Sequence, residues 1–162
     1  MKKEISLVLL ISLSALTPVA VQAENVEREN IYLGGGLGFN SLPGFGSSRG
    51  FQFFAGYDFD FKLNEDISTA VEIGYMDSGN LKTFNSGRGN DVTGAWASVV
   101  ESVPLSRKTD MLVRLGYDFG DDDGLLLGTG MQYKFDTKVA FRMEYVTREH
   151  LHGLQANLLV HF

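Results

Sequence analysis

Cysteine is absent from the 162-residue chain. That excludes disulfides and a lipid-modified N-terminal cysteine, so an exported protein of this size must draw its stability from another source. Beyond residue 23, no apolar run approaches the roughly 20 residues that a membrane helix needs. Positive charge is also scarce, with 14 Lys and Arg against 20 Asp and Glu. Removing residues 1–23 takes away Lys2, Lys3 and Glu4 and leaves a net charge of −7. Such an acidic chain makes a poor nucleic-acid binder, and no nucleic-acid partner is expected.

The first 23 residues carry the marks of an export signal. "MKK" is a short basic start, "ISLVLLISLSALTPVAV" an apolar run, and "VQA" places small residues at a cleavage site after Ala23. The run is short for a membrane anchor and is interrupted by Pro18. Residues 1–23 are therefore expected to be a signal peptide and residues 24–162 a single domain, with "ENVERE" as its polar lead-in. The composition includes 19 glycines and 12 phenylalanines. Glycine in turns and aromatics in strands point to an all-β fold.

Turn signals divide the rest into eight segments of similar length: 30–40, 49–63, 67–77, 92–103, 111–119, 124–135, 139–148 and 153–162. The connections "NED", "PLSRKTD" and "DTK" are tight, whereas "SLPGFGSSR" and "SGNLKTFNSGRGND" are long, with "GDDD" and "EHLH" intermediate. Short turns at one end and longer loops at the other predict an eight-stranded antiparallel up-and-down transmembrane β-barrel. On this reading the loops around 40–50, 78–91, 119–124 and 148–153 lie outside the cell.

Alternation has to be assigned a direction. In "VAFRMEYVTREH", Val139, Phe141, Met143 and Tyr145 share one face, and Arg142, Glu144 and Arg148 lie on the other. A soluble lipocalin-like barrel would turn the apolar face inward. Three features favour the reverse. The polar face is mostly Gly, Ala and Ser with a few charges, which suits a narrow lumen better than a water-facing surface. The aromatics of the apolar face fall into two groups. Phe39, Phe51, Tyr75, Tyr117, Phe119 and Tyr145 lie toward the loops, and Tyr57, Phe59, Phe61, Tyr133, Phe135 and Phe162 toward the turns. The ten residues from Phe51 to Phe61 cover roughly 25 Å of height on a tilted strand, the depth of an apolar band between two aromatic girdles. Finally, the last strand ends in Phe162 with apolar residues at alternate positions before it.

The apolar face is thus read as meeting lipid. The inward charges are expected to be Asp58, Asp60, Lys62, Glu72, Glu101, Arg114, Asp118, Lys134, Arg142, Glu144 and Arg148. Of these, Glu72, Glu101, Arg114, Arg142, Glu144 and Arg148 are singled out as a lumen charge network that holds the barrel closed. "VTGAWASVVESV" has mixed parity, and Glu101 is placed inside and Trp96 outside.

With "FFAGYDFDFKLNEDISTAVEIGYMD", "MLVRLGYDFG", "GTGMQYKFDTKVAFRMEYV" and the terminal Phe162, the mature chain resembles the small eight-stranded outer-membrane β-barrels, a group including the OmpA transmembrane domain, OmpX/Ail-type and opacity-like proteins. The resemblance implies a location in the outer membrane of a Gram-negative cell. It also implies recognition of the Phe162 strand by the outer-membrane assembly machinery. A monomer among outer-membrane lipids and lipopolysaccharide is expected. The motifs speak for fold and compartment more than for function.

Some such barrels are lipid A deacylases, which need His, Ser and an acid on the outer face. His150 and His152 have Glu149 nearby but no "HxS" stretch, and His161 lies at the turn end, so no catalytic residue is assigned. "DFGDDDG" does not fit an EF-hand, since Phe119 takes its first ligand position. No metal or cofactor is expected. Arg49, Lys82 and Arg88, in the two longest loops, are candidate contacts for lipopolysaccharide phosphates. The favoured function is a non-enzymatic barrel serving envelope integrity or surface interaction. The alternatives are a narrow pore for ions or very small solutes and, behind it, a lipid-modifying enzyme.

Overall fold

The computed structural model describes residues 30–41, 46–64, 67–82 and 89–162, with side chains except at 60–64, 81, 82, 89 and 90. The expected signal peptide lies outside the described residues. Ten strands follow in chain order: β1 (Ile31–Ser41), β2 (Ser47–Asn64), β3 (Ile67–Asp77), β4 (Leu81–Lys82), β5 (Gly89–Asn90), β6 (Thr93–Pro104), β7 (Thr109–Asp118), β8 (Gly124–Lys134), β9 (Val139–Thr147) and β10 (His152–His161). Eight of them close a barrel in the order β1-β10-β9-β8-β7-β6-β3-β2, all pairs antiparallel. β4 and β5 form a separate two-residue ladder in the loop between β3 and β6, which alternation alone had left unstructured.

Closure satisfies every strand edge, the condition for crossing a bilayer with strands. The register fixes the shape. Paired residues lead from Ile31 through Tyr57, Val71, Val99, Leu115, Leu127, Thr147 and His152 back to β1 at Ser41, ten residues above the start. With eight strands that stagger sets a tilt of about 40°, so each residue rises about 2.5 Å along the axis. The tight turns are built from local hydrogen bonds. Asp136 Oδ1 accepts the backbone N–H groups of Lys138 and Val139 at 2.7 and 2.8 Å. Those two bonds hold its carboxyl below the usual carboxylate range.

The apolar face points outward. Leu37, Ile73, Phe119 and Leu125 are all more than half exposed, and in a bilayer that exposure is to lipid. Both aromatic groups lie on this outer face where their side chains are described: Phe39, Tyr75 and Tyr145 above, Tyr133, Phe135 and Phe162 below. Phe61 falls outside the described side chains. β6 departs from the expected parity. Trp96 is 3% exposed and points into the lumen, together with Ser98 and Val100, while Ala95, Ala97, Val99 and Glu101 look outward. The sheet alternates strictly, so one misplaced residue reverses the whole strand.

Candidate functional site

The lumen is filled by three layers. The middle one contains four charges from three strands: Glu72 (β3), Arg114 (β7), and Arg142 and Glu144 (β9), none more than 3% exposed. On the register scale they occupy a slab about 5 Å thick near mid-height. Arg114 holds Glu144 through two parallel bonds, Nε to Oε1 at 2.9 Å and Nη2 to Oε2 at 3.0 Å. Its Nη1 donates to Ser98 Oγ at 2.7 Å and lies 2.6 Å from Glu72 Oε2, an ionic contact without hydrogen-bond alignment. Arg142 Nη1 reaches Glu72 Oε1 at 2.5 Å, and its Nε donates to Gln132 Oε1 at 2.9 Å. Tyr32 hydroxyl also donates to Glu72 Oε1, at 2.5 Å. Two acids and two bases therefore cancel in a buried site, and nearly every donor has an acceptor.

Aromatic rings flank this quartet. Arg114 lies 4.9 Å from the Trp96 ring, and Arg142 lies between Tyr32 and Phe54 at 5.9 and 5.8 Å. Three inward glycines provide the space: a Cβ at Gly34 would strike Phe54, at Gly56 Tyr32, and at Gly74 Trp96. The small face of the strands accommodates rings as much as charges. Tyr32 and Phe54, unassigned in the sequence reading, lie on the parity of Gly34 and Gly56, which was the available signal.

Arg148 does not join the quartet. It pairs with Asp118 at 2.6 Å in the upper layer. Next to them Asp122 accepts the backbone N–H groups of His150 and Leu151 at 3.1 and 2.9 Å and meets His150 Nδ1 at 2.9 Å. Leu151 is thereby drawn into the barrel mouth and is fully buried. The carboxylates of Asp118 and Asp122 are thus engaged by protein donors. Among the described residues, no group of three or more metal-ligating side chains occurs. The two loop histidines diverge, since His152 Nδ1 meets Thr147 Oγ1 at 2.8 Å on the outer rim and His150 turns to Asp122.

Below the quartet the lumen opens. A cavity of about 410 Å³ is lined by Asp58, Asp110, Lys134, His161, Ser102 and Gln132 among others, with Tyr32 and Arg142 as its ceiling. Lys134 Nζ lies 2.6 Å from Asp110 Oδ2, and His161 Nε2 lies 3.3 Å from Asp58 Oδ2. Asp58 and Lys134 thus face inward as expected, and Asp110 is a buried inward acid that the parity count omitted. Asp60 and Lys62 lie outside the described side chains.

Glu101 is the correction. It sits on the outer face, half-buried, accepting the Thr69 hydroxyl at 2.9 Å, and takes no part in the lumen network. Of the candidate lipopolysaccharide contacts, Arg49 is exposed on the outer face with its guanidinium 5.7 Å from the Phe39 ring centroid. Lys82 ends β4 with its side chain outside the described set, and Arg88 lies outside the described residues.

No curated protein sequence matches the chain. Among solved structures, a de novo designed transmembrane β-barrel superposes with a TM-score of 0.57 at 14% identity, covering 86% of this chain and 100% of the other. Ail, the attachment invasion locus protein of Yersinia pestis, gives 0.52 at 12% identity, covering 81% of this chain and 95% of Ail. Neisserial surface protein A gives 0.52 at 16% identity, covering 82% and 97%. These likenesses establish the eight-stranded barrel fold. The model of the outer membrane protein β-barrel domain family matches residues 6–158, and the chain belongs to that family, whose place is the outer membrane.

Proposed function

We propose that this chain is a non-enzymatic, non-conducting monomer of the Gram-negative outer membrane that serves envelope integrity or surface interaction. The observation that carries this reading is the mid-lumen quartet, in which Glu72, Arg114, Arg142 and Glu144 bond across the bore with no more than 3% exposure. An ion crossing here would have to break charge-assisted bonds in a dry layer, each costly to lose. The Leu151 plug above adds a second barrier. At the outer rim Arg49 supplies a fixed cation at the level of the upper girdle, suited to a lipopolysaccharide phosphate, and Lys82 and Arg88 belong to the longest loop. The strand ending at Phe162 is the segment offered to the assembly machinery.

The test is planar-bilayer conductance of the refolded protein, run beside mass analysis of lipid A from cells that express it. The expected result is no stable current steps and unchanged acyl chains. Stable steps would move the reading to a narrow pore for ions or very small solutes, and altered acyl chains to a lipid-modifying enzyme.

A further inference from the structure

His152 is the first residue of β10, and alternation puts it on the outer face with the exposed Leu154 and Leu158. The register sets polar side chains on both sides of it at one level: Thr147 on β9, then His152, Ser41 on β1 and Ser47 on β2. The next outward row toward the membrane centre is Tyr145, Leu154, Phe39 and Arg49. His152 and Arg49 therefore flank β1 from opposite sides, about 10 Å apart across the sheet, since neighbouring strands lie about 4.8 Å apart. Arg49 leans back over that gap, with its guanidinium 5.7 Å from the Phe39 ring centroid. It makes no ion pair among the described residues. The outward acid that register brings nearest, Asp77 opposite Phe51, accepts the Gly79 N–H at 2.7 Å. His152 is held from behind: its Nδ1 lies 2.8 Å from Thr147 Oγ1, and Nε2 has no partner among the described residues. Ser41 and Ser47 are exposed between the two bases. A guanidinium, an imidazole edge and two hydroxyls thus border one strand at the upper girdle, all able to donate.

We propose that Arg49 and His152, with Ser41 and Ser47, hold one phosphomonoester of an outer-leaflet lipid A above the Phe39 ring. This rests on the lipopolysaccharide reading above and gives that contact a second arm. The Thr147 hydroxyl, donating to Nδ1, keeps the ring proton on Nε2, which donates to one phosphate oxygen. The planar fork of Arg49 spans the other oxygens from the far side of β1. The acyl chains of the same lipid continue down the outer wall along Leu37, Leu154 and Leu158, all exposed. A phosphomonoester offers three terminal oxygens and close to two negative charges, which a cluster of donors on both sides of one strand can use together. The phosphodiester of a glycerophospholipid has fewer free oxygens and less charge, so the site discriminates between two phosphate-bearing lipids.

The experiment is native mass spectrometry of the protein ejected from nanodiscs holding equal amounts of lipid A, the same lipid A after phosphatase treatment, and phosphatidylglycerol. The wild type is expected to retain one phosphorylated lipid A in preference to both others. Arg49→Gln is expected to cut that preference at least about tenfold, the equivalent of one charge-assisted hydrogen bond of ordinary strength. His152→Phe keeps an aromatic ring at the girdle and removes the N–H, and a smaller loss of about threefold or more is expected. Both positions lie on the outer surface, so both variants should fold, and Lys108→Gln at the opposite rim should leave the preference unchanged. Equal retention of dephosphorylated lipid A or of phosphatidylglycerol overturns the proposal. An unchanged preference in His152→Phe also overturns it, leaving Arg49 as a lone contact and the lipopolysaccharide reading intact. A wild type that retains no lipid A overturns the site and that reading together.

Discussion

The upper and lower halves of the lumen contain the same kinds of side chain and behave differently. Above the quartet, the charged and amide side chains bond mostly to one another: Asp118 with Arg148, Asp122 with the Leu151 turn, and Gln52 Nε2 with both Gln155 and Asn157 at 2.8 Å, while Asn40 Oδ1, Gln52 Oε1, Arg148 Nη1 and Asn157 Nδ2 stay buried without a partner among the described residues. A space of about 10 Å³ beside Gly38, Asn40, Gly50 and Gln52 has room for a single water. Below the quartet, the acids and bases border an open vestibule of about 410 Å³, and Lys134 is nearly half exposed. Charge in a bore of this width therefore does not determine function by itself. Packed and paired, it seals; left beside water, it makes a polar mouth.

The sharpest way to break this comparison is at the boundary. Arg142→Met removes the base shared by Glu72 and Gln132 and leaves Glu72 facing Arg114 alone. Breaking a buried pair costs on the order of 3–5 kcal/mol, and urea unfolding in lipid vesicles should show a loss of that size. Adding Glu72→Gln should recover part of it, because the uncompensated charge is gone. A single variant within about 0.5 kcal/mol of wild type, the usual range for surface changes, would mean that water already reaches the middle layer.

The seal above can be loosened separately. Leu151 is fully buried in the mouth although it lies in the loop between β9 and β10. Leu151→Ala should cost about 2–5 kcal/mol in the same assay, as for other buried leucines. It should leave the bilayer non-conducting, because the quartet remains. Current steps in Leu151→Ala would show that the plug, and not the charge layer, closes the bore.

The absence of cysteine makes the comparison directly visible by labelling. Ser102 lines the vestibule, whereas Ser98, two steps up the same face of β6 beyond Val100, is 4% exposed and bonded to Arg114. In Ser102→Cys the thiol should react with a polar maleimide added from the turn side, and in Ser98→Cys it should stay protected until unfolding. Equal protection of both would close the vestibule.

Much of this architecture is legible in the chain. The strands, their closure and the inward acids and bases of β3, β7 and β9 follow from two-residue periodicity, because those strands carry large apolar groups on one face only. β6 resists the same reading. In "TGAWASVVESVP" valine and alanine occur on both faces, so hydrophobicity gives no direction. What orients Trp96 inward is the space over Gly74 on the neighbouring strand and the guanidinium of Arg114. Both depend on register across strands, which no local pattern records. The same limit hid the division of the charges. Arg142 and Arg148 lie on one face of one segment, and only the ten-residue stagger sets Glu72 and Arg114 level with the first and Asp118 level with the second.

The smallest expected effect is the most discriminating. Lys134→Gln removes the partner of Asp110, a residue as buried as the quartet at 3% exposure, with Oδ1 unpaired among the described residues. In a dry lumen the orphaned carboxylate would cost as much as a broken quartet pair. Beside a vestibule of about 410 Å³, water can take the place of the ammonium. The loss should then stay near the value of a solvent-screened pair, at most about 1 kcal/mol, and shrink further in high salt. Urea midpoints of Lys134→Gln at low and high salt, set beside Arg142→Met, measure the difference between the halves. A salt-insensitive loss of several kcal/mol in Lys134→Gln would mean that the lower lumen is as dry as the upper one.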